Sequence, residues 1–282
     1  MIALPDVPGV RHAHHDLPTG VRLHVAEAGD PGAPAALLVH GWPQHWWMWR
    51  AVIPALAGRR RVICPDLRGL GWSGQPDDGD FTKGRMADDL LALLDVLGVE
   101  RAAYAGHDWG GWVGWLLALR APERLERLAA VSILHPWIPP AATARNLWRF
   151  AYMVPLATPV VGPALVRDGR AVRAGLGSRI SDADAAVYVD VVREPARAAA
   201  SSAYYRHFQL RELPRLEALR GARVELPVRV LFGRHDPVQR PDQLAGLDRH
   251  VADLEVDVVD GGHFLVDERP DLVAGRLGAW LA

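Results

Sequence analysis

The chain has 282 residues, half of them apolar, and its 32 basic and 33 acidic side chains leave a net charge of −1. That length allows one large domain, or one domain carrying an insertion, around a sizeable core. With the charges balanced and no block of like sign, the chain lacks the electrostatic footprint of a nucleic-acid or anionic-membrane binder.

The opening stretch "MIALPDVPGVRHAHHD" lacks the basic start and the apolar run of roughly 7 to 15 residues that a secretory signal needs. No window approaches the roughly 18 unbroken apolar residues of a membrane-spanning helix. Within it, "HAHH" at 12–15 reads as a polar surface stretch. Apolar runs "AALLVH" (35–40) and "RRVICP" (60–65) follow, then "AAYAG" (102–106) and "LAAVSIL" (128–134). Such short runs predict strands buried on both faces. Between the second and third, "RMADDLLALLDVLG" sets Met86, Leu90, Leu93, Leu94 and Leu97 at helical spacing and stops at Gly98. Strand and helix in alternation imply a parallel sheet with crossover helices.

The rhythm lapses over 136–217, where Ala, Arg, aromatic residues and scattered prolines predict several short helices. It resumes with "PVRVLFG" (227–233) and "LEVDVVDGG" (254–262), and "PDLVAGRLGAWLA" predicts a terminal helix. The expected architecture is an α/β core over 1–135 and 218–282, interrupted by a helical cap over 136–217. The one cysteine, Cys64, lies in a predicted strand and reads as a small core residue, so a cytoplasmic address is expected. Twelve histidines show no metal-ligand spacing, and neither a metal nor an organic cofactor is expected.

Chemistry enters at "AGHDWGGW", where Gly106-His107-Asp108-Trp109-Gly110 joins a predicted strand to a predicted helix. The pattern is the G-x-Nu-x-G nucleophile elbow with aspartate at the nucleophile position. Side chains at 106 and 110 would collide in so sharp a turn, and the helix N-terminus favours an anion at 108. A carboxylate is ionised at neutral pH without help and can displace a leaving group from saturated carbon to form an alkyl ester.

These residues resemble the α/β-hydrolase fold proteins of the epoxide hydrolase and haloalkane dehalogenase group, from about residue 20 to the C-terminus. "HGWPQHWWMWR" (40–50) resembles the group's His-Gly-x-Pro oxyanion loop, and "PDLRGLGWSGQP" (65–76) its loop after the fourth strand. The resemblance implies an acid at Asp236 in "LFGRHDPV" and a base at His263 in "VVDGGHFLVDERP", a context that His235 lacks. It also implies an oxyanion hole from the backbone N–H groups of Trp42 and Trp109, and a substrate pocket bordered by His40, Pro43 and Trp109. His263, oriented by Asp236, would then deprotonate the water that hydrolyses the Asp108 ester.

The leaving group separates two reactions. An epoxide oxygen needs acid assistance, which in this group comes from two lid tyrosines; the matching positions are Tyr152 and Tyr205, the latter followed by Arg206. Aromatic packing is the alternative for both, and Tyr188 and Tyr204 read as packing residues, with Trp46, Trp47 and Trp49 in core and pocket wall. A halide needs only weak N–H donors: Trp109, with Trp148 as a second. Trp42 stands where haloalkane dehalogenases often carry asparagine, and Trp109 where fluoroacetate dehalogenases carry arginine. A non-catalytic small-molecule receptor on the same fold is a further alternative, opposed by the presence of all three triad residues. The sequence therefore leads to an epoxide hydrolase that converts a hydrophobic epoxide to a vicinal diol, with haloalkane or haloacid dehalogenation second. No nucleic-acid or membrane partner is expected.

Overall fold

In the computed structural model, which describes residues 2–282, eight strands form one sheet. They are β1 (Arg11–Leu17), β2 (Val21–Ala28), β3 (Ala35–Val39), β4 (Arg61–Pro65), β5 (Ala102–His107), β6 (Leu125–Val131), β7 (Val224–Gly233) and β8 (Val251–Val259). Their order is β1-β2-β4-β3-β5-β6-β7-β8, antiparallel at β1-β2 and β2-β4 and parallel elsewhere. All six apolar runs become strands. β1 and β2 lack a comparable run: polar residues interrupt the buried, interior β2, "VRLHVAEA", and "RHAHHDL" is a polar edge strand with little cover. His12 and His14 are exposed there, although His12 stacks on His24 with ring centroids 5.2 Å apart.

Eleven α-helices are described: α1 (Val52–Ala57), α2 (Lys83–Val96), α3 (Trp109–Arg120), α4 (Pro140–Asn146), α5 (Met153–Ala157), α6 (Val161–Asp168), α7 (Arg170–Leu176), α8 (Asp182–Val192), α9 (Pro195–His207), α10 (Leu265–Glu268) and α11 (Pro270–Trp280). α2 begins three residues before Met86, the first residue of its apolar pattern, because the Thr82 side chain caps it, accepting from Arg85 N. Its buried stripe is Met86, Leu90, Leu93 and Leu94, as the spacing predicts. Among the described residues no helix is long and apolar enough to cross a membrane.

Between β6 and β7 the regular elements are α4 to α9 and shorter helical turns ending at Leu219. Two buried tyrosines tie this insertion to the sheet. Tyr204, on α9, donates its hydroxyl to the Arg68 carbonyl at 2.7 Å. Tyr188, on α8, donates to the Asp267 carboxylate at 2.9 Å, which also pairs with Arg50. The packing roles expected of both tyrosines match these positions, since each is fully buried with its hydroxyl engaged.

The turn from β5 into α3 decides the site. Asp108 sits there at φ 50°, ψ −123°, a conformation rare for residues with a side chain. A Cβ at Gly106 would run into the Gly110 carbonyl, and one at Gly110 into the carbonyl of Val39 on neighbouring β3. Neither obstacle is a flexible side-chain end. Gly110→Ala is expected to lower the unfolding free energy by roughly 2 to 4 kcal/mol. A urea titration checks this, and an unchanged midpoint would mean that β3 retreats without cost.

Candidate active site

Three strand ends supply the three triad candidates. Asp108 follows β5, Asp236 lies in the turn after β7, and His263 lies in the loop after β8, so all project at the carboxyl edge of the parallel sheet. Asp236 is fully buried; one oxygen accepts from Val238 N at 2.7 Å and Gln239 N at 2.9 Å. Its other oxygen meets His263 Nδ1 at 2.7 Å. That bond leaves Nε2 of His263 facing Asp108 Oδ2 at 3.6 Å. Across the same carboxylate, Asp108 Oδ1 accepts the Trp42 N–H at 3.0 Å, and the Trp109 N–H faces it from the start of α3. Both backbone donors thus lie where the sequence reading puts an oxyanion hole.

His107 is a residue that the sequence reading misses. It is fully buried, and its Nε2 donates to the His263 carbonyl at 2.8 Å, bracing the loop that carries the imidazole. Its position beside Asp108 is the only sequence signal for it. Burial lowers the His107 pKa to about 4, so this ring is neutral.

His263 behaves in the opposite way. Burial opposes its charge, yet the Asp236 and Asp108 carboxylates outweigh burial and push its pKa up to about 10. For Asp108, burial favours the neutral acid, but His263 outweighs it and holds the pKa below the usual carboxylate range. At neutral pH an imidazolium therefore lies between two carboxylates. Because the folded pKa of His263 is raised, its stabilising contribution is complete below the unfolded value of about 6.5 and is lost as pH rises through about 10.

A cavity of about 400 Å³ opens above these groups. Trp42, Pro43, Asp108, Tyr152, Tyr205 and His263 line it, with an apolar wall from Leu156, Leu165, Val172, Val238 and Phe264. Tyr152 and Tyr205 meet edge to face, centroids 6.0 Å apart; Tyr205 is buried and Tyr152 is 39% exposed, yet loss of water around each hydroxyl raises the pKa of both, so both stay protonated. Of the chain's five tyrosines, Tyr104, Tyr188 and Tyr204 donate to protein oxygens. Among the described residues, Tyr152 and Tyr205 donate to no carbonyl or carboxylate. The two hydroxyls act on each other, and among the described residues neither is tied to the main chain or to a carboxylate.

Several expected pocket residues lie elsewhere. His40 does not line the cavity: it is fully buried, its Nδ1 donating to the Gly41 carbonyl and its Nε2 accepting the Leu67 N–H, both at 2.9 Å. It ties the loop after β3 to the loop after β4. The side chain of Trp109 also stays out of the cavity, packed edge-on behind Tyr205 at 5.6 Å and against Phe208 at 4.9 Å. Trp46 and Trp49 are core, Trp47 lies under the Arg50 guanidinium, and none of the three forms pocket wall. Trp148 is 68% exposed and far from the role of halide donor. His235 pairs with Asp260 at 2.9 Å on the surface. The wall from α5 to α7 has no motif; short helices with small and branched residues do not announce which face they turn inward.

The alpha/beta hydrolase fold family matches residues 34–156. Epoxide hydrolase A of Mycobacterium tuberculosis is 31% identical, with 92% of this chain and 93% of that protein covered. Among solved structures, an epoxide hydrolase, VrEH1 from Vigna radiata, superposes with a TM-score of 0.83 at 28% identity, covering 96% of this chain and 98% of that one. A Salmonella enterica protein described as an acyltransferase superposes with a TM-score of 0.86 at 26% identity, covering 99% and 97%. A shared scaffold therefore leaves the choice of chemistry to the side chains in the cavity.

The charge arrangement is testable directly. Asp108→Asn removes one of the two carboxylates that hold the proton on His263, so the titration of that ring should move down from about 10 toward neutral pH. Imidazole 15N shifts followed against pH read this, and an unmoved titration would mean that Asp236 alone holds the proton.

Proposed function

The chain belongs to the epoxide hydrolases of the α/β-hydrolase fold, and from that membership we propose that it opens a hydrophobic epoxide to a vicinal diol through an ester on Asp108. The observation that carries this reading is the pair of hydroxyls of Tyr152 and Tyr205, tied to no carbonyl or carboxylate among the described residues, in the same apolar cavity as an ionised aspartate. An epoxide oxygen bound between them faces Asp108, and the ring carbon lies within reach of its free lone pair. The helical insertion over 136–217 serves as a cap that supplies both hydroxyls and most of the apolar wall. Cys64 has no partner for an internal disulfide, in keeping with a cytoplasmic enzyme.

The protons balance around His263. Attack by Asp108 forms the C–O ester bond and breaks the ring C–O bond, and the tyrosines donate to the alkoxide as it develops. Esterification removes the negative charge of Asp108, so the His263 pKa falls and the imidazolium releases the proton that the alkoxide requires. The neutral ring, still held by Asp236, then deprotonates a water that attacks the ester carbonyl. The resulting oxyanion is held by the N–H groups of Trp42 and Trp109. Collapse releases the diol and restores the carboxylate and imidazolium. The proton stored on His263 at rest is thus the one spent on ring opening.

Dehalogenation is a second reading, favoured by the Trp42 indole N–H: Trp42 lines the cavity, and this group is buried without a hydrogen-bond partner among the described residues. A haloacid fits less well, because the described lining holds no lysine or arginine to meet a carboxylate. A purely binding role leaves the ionised Asp108 and paired His263 without a purpose.

Two experiments separate these readings. His263→Gln should form the ester and fail to hydrolyse it, so intact-protein mass spectrometry with styrene oxide should detect a stable adduct on Asp108. A folded variant that binds substrate without gaining its mass would remove the covalent route. Tyr152→Phe and Tyr205→Phe should each slow alkylation roughly 10- to 1000-fold with an epoxide and leave any bromoalkane reaction nearly unchanged, because bromide leaves without a proton. Stopped-flow alkylation rates measure this. Strong bromide release by the wild type would promote the dehalogenase reading.

A further inference from the structure

Lys83, the first residue of α2, is fully buried, and its position is unfavourable twice over. A lysine ammonium is seldom taken out of water, and a helix N-terminus repels a cation. A methionine would fill the same space at less cost. The ammonium donates to the Tyr204 carbonyl at 2.6 Å and lies 3.7 Å from Glu212. It also sits 4.1 Å above the ring of Trp109, with the rings of Tyr204 and Phe208 each at 5.4 Å. Trp109 connects this cation to the cavity. Its edge meets Tyr205 at 5.6 Å, its indole N–H is buried without a hydrogen-bond partner among the described residues, and its backbone N–H faces Asp108. One cation therefore contacts the indole that backs Tyr205 and the main chain of the residue preceding Tyr205.

We propose that Lys83 is a positioning residue for ring opening, acting through the Trp109 indole and the Tyr204 carbonyl to orient Tyr205 and strengthen it as a donor. The role rests on the function proposed above. A cation over an indole face draws π density toward itself, which makes the N–H at the ring edge a better donor. The Trp109 side chain favours the phenolate form of Tyr205, against the burial that opposes it. A Tyr205 hydroxyl so supported gives up its hydrogen more readily as alkoxide charge develops.

The pH response follows from the groups around the ammonium. Burial depresses the Lys83 pKa to about 8, while Glu212 on the segment after α9, Asp108 at the elbow and Asp80 before α2 hold it up. The charge is present below that value and lost above it. Alkylation by styrene oxide should therefore fall as pH rises through about 8 in the wild type, well before the change near 10 set by His263.

Single-turnover alkylation and ester hydrolysis, measured from pH 6 to pH 10 by quenched-flow mass spectrometry, test the role. Lys83→Met should slow alkylation about tenfold at pH 7 and abolish the fall near pH 8, with hydrolysis within about twofold of wild type. Lys83→Arg, which keeps its charge, should also lose that fall while retaining more of the rate. Lys83→Met combined with Tyr205→Phe should be no slower than Tyr205→Phe alone by more than about twofold, because both changes cut one path. A wild-type profile flat up to pH 10, a folded Lys83→Met protein with wild-type alkylation, or a multiplicative loss in the double variant would overturn the role. If Lys83→Met fails to fold, the wild-type and Lys83→Arg profiles decide. Absence of any Asp108 ester in the wild type would remove the proposed function itself, whereas a normal ester formed at a rate independent of Lys83 removes only this role.

Discussion

The site depends on holding a carboxylate at a positive-φ turn, wedged between two parallel strands and the N-terminus of a helix. At Asp108 the backbone adopts a conformation that costs about 1 to 3 kcal/mol, and it persists because everything around it is packed. α3 supplies the anchor: Trp112, Val113, Trp115 and Leu117 are buried against the sheet and against α2. The close approach of Gly110 to the β3 carbonyl brings the loop after β3 alongside, and with it the Trp42 N–H. The same constraint therefore positions the carboxylate, its two backbone donors and the direction in which the free oxygen points.

Around that fixed anion the charges form a short chain. Asp236 is held by two backbone N–H groups and in turn holds His263, which faces Asp108. An imidazolium flanked by two carboxylates is stable at rest and becomes a base only when one carboxylate is neutralised. In the proposed cycle that neutralisation is the chemical step itself, so the order of events is written into the electrostatics without any moving part. The neutral His107 behind the loop keeps the His263 main chain in place and adds no competing charge.

The core and the helical insertion contribute different things. Asp108, Asp236, His263 and the backbone donors come from strand ends, while the paired tyrosines and most of the apolar wall come from the insertion. Their registration relies on buried polar contacts: Tyr204 to the Arg68 carbonyl, Tyr188 to Asp267, and Lys83 to the Tyr204 carbonyl. Buried hydrogen bonds of this kind are expensive to leave unmade, so they fix the height of the insertion above Asp108. A shift of one ångström there would misplace Tyr205 relative to the carboxylate.

Much of the fold was legible because parallel strands are buried on both faces, so their sequences are continuous apolar runs that end at Gly or Pro. β1 has no such run because it is a largely exposed edge strand, and β2 has none because Arg22, His24 and Glu27 interrupt its otherwise apolar, buried positions. The elbow was legible for a local reason, as the small residues at 106 and 110 and the acid at 108 lie within five positions. Asp236 and His263 were reached by likeness alone, since their meeting with Asp108 spans more than a hundred residues. The sequence by itself determined the α/β sheet, the helical insertion and the acid at the elbow. Only the tertiary structure decided that the Trp109 ring stays out of the cavity while its N–H faces Asp108, that Lys83 lies over that ring, and that His40 turns into the core. Local spacing specifies which face of a helix is apolar, but the side toward which a polar group points is settled by the partners that packing brings to it.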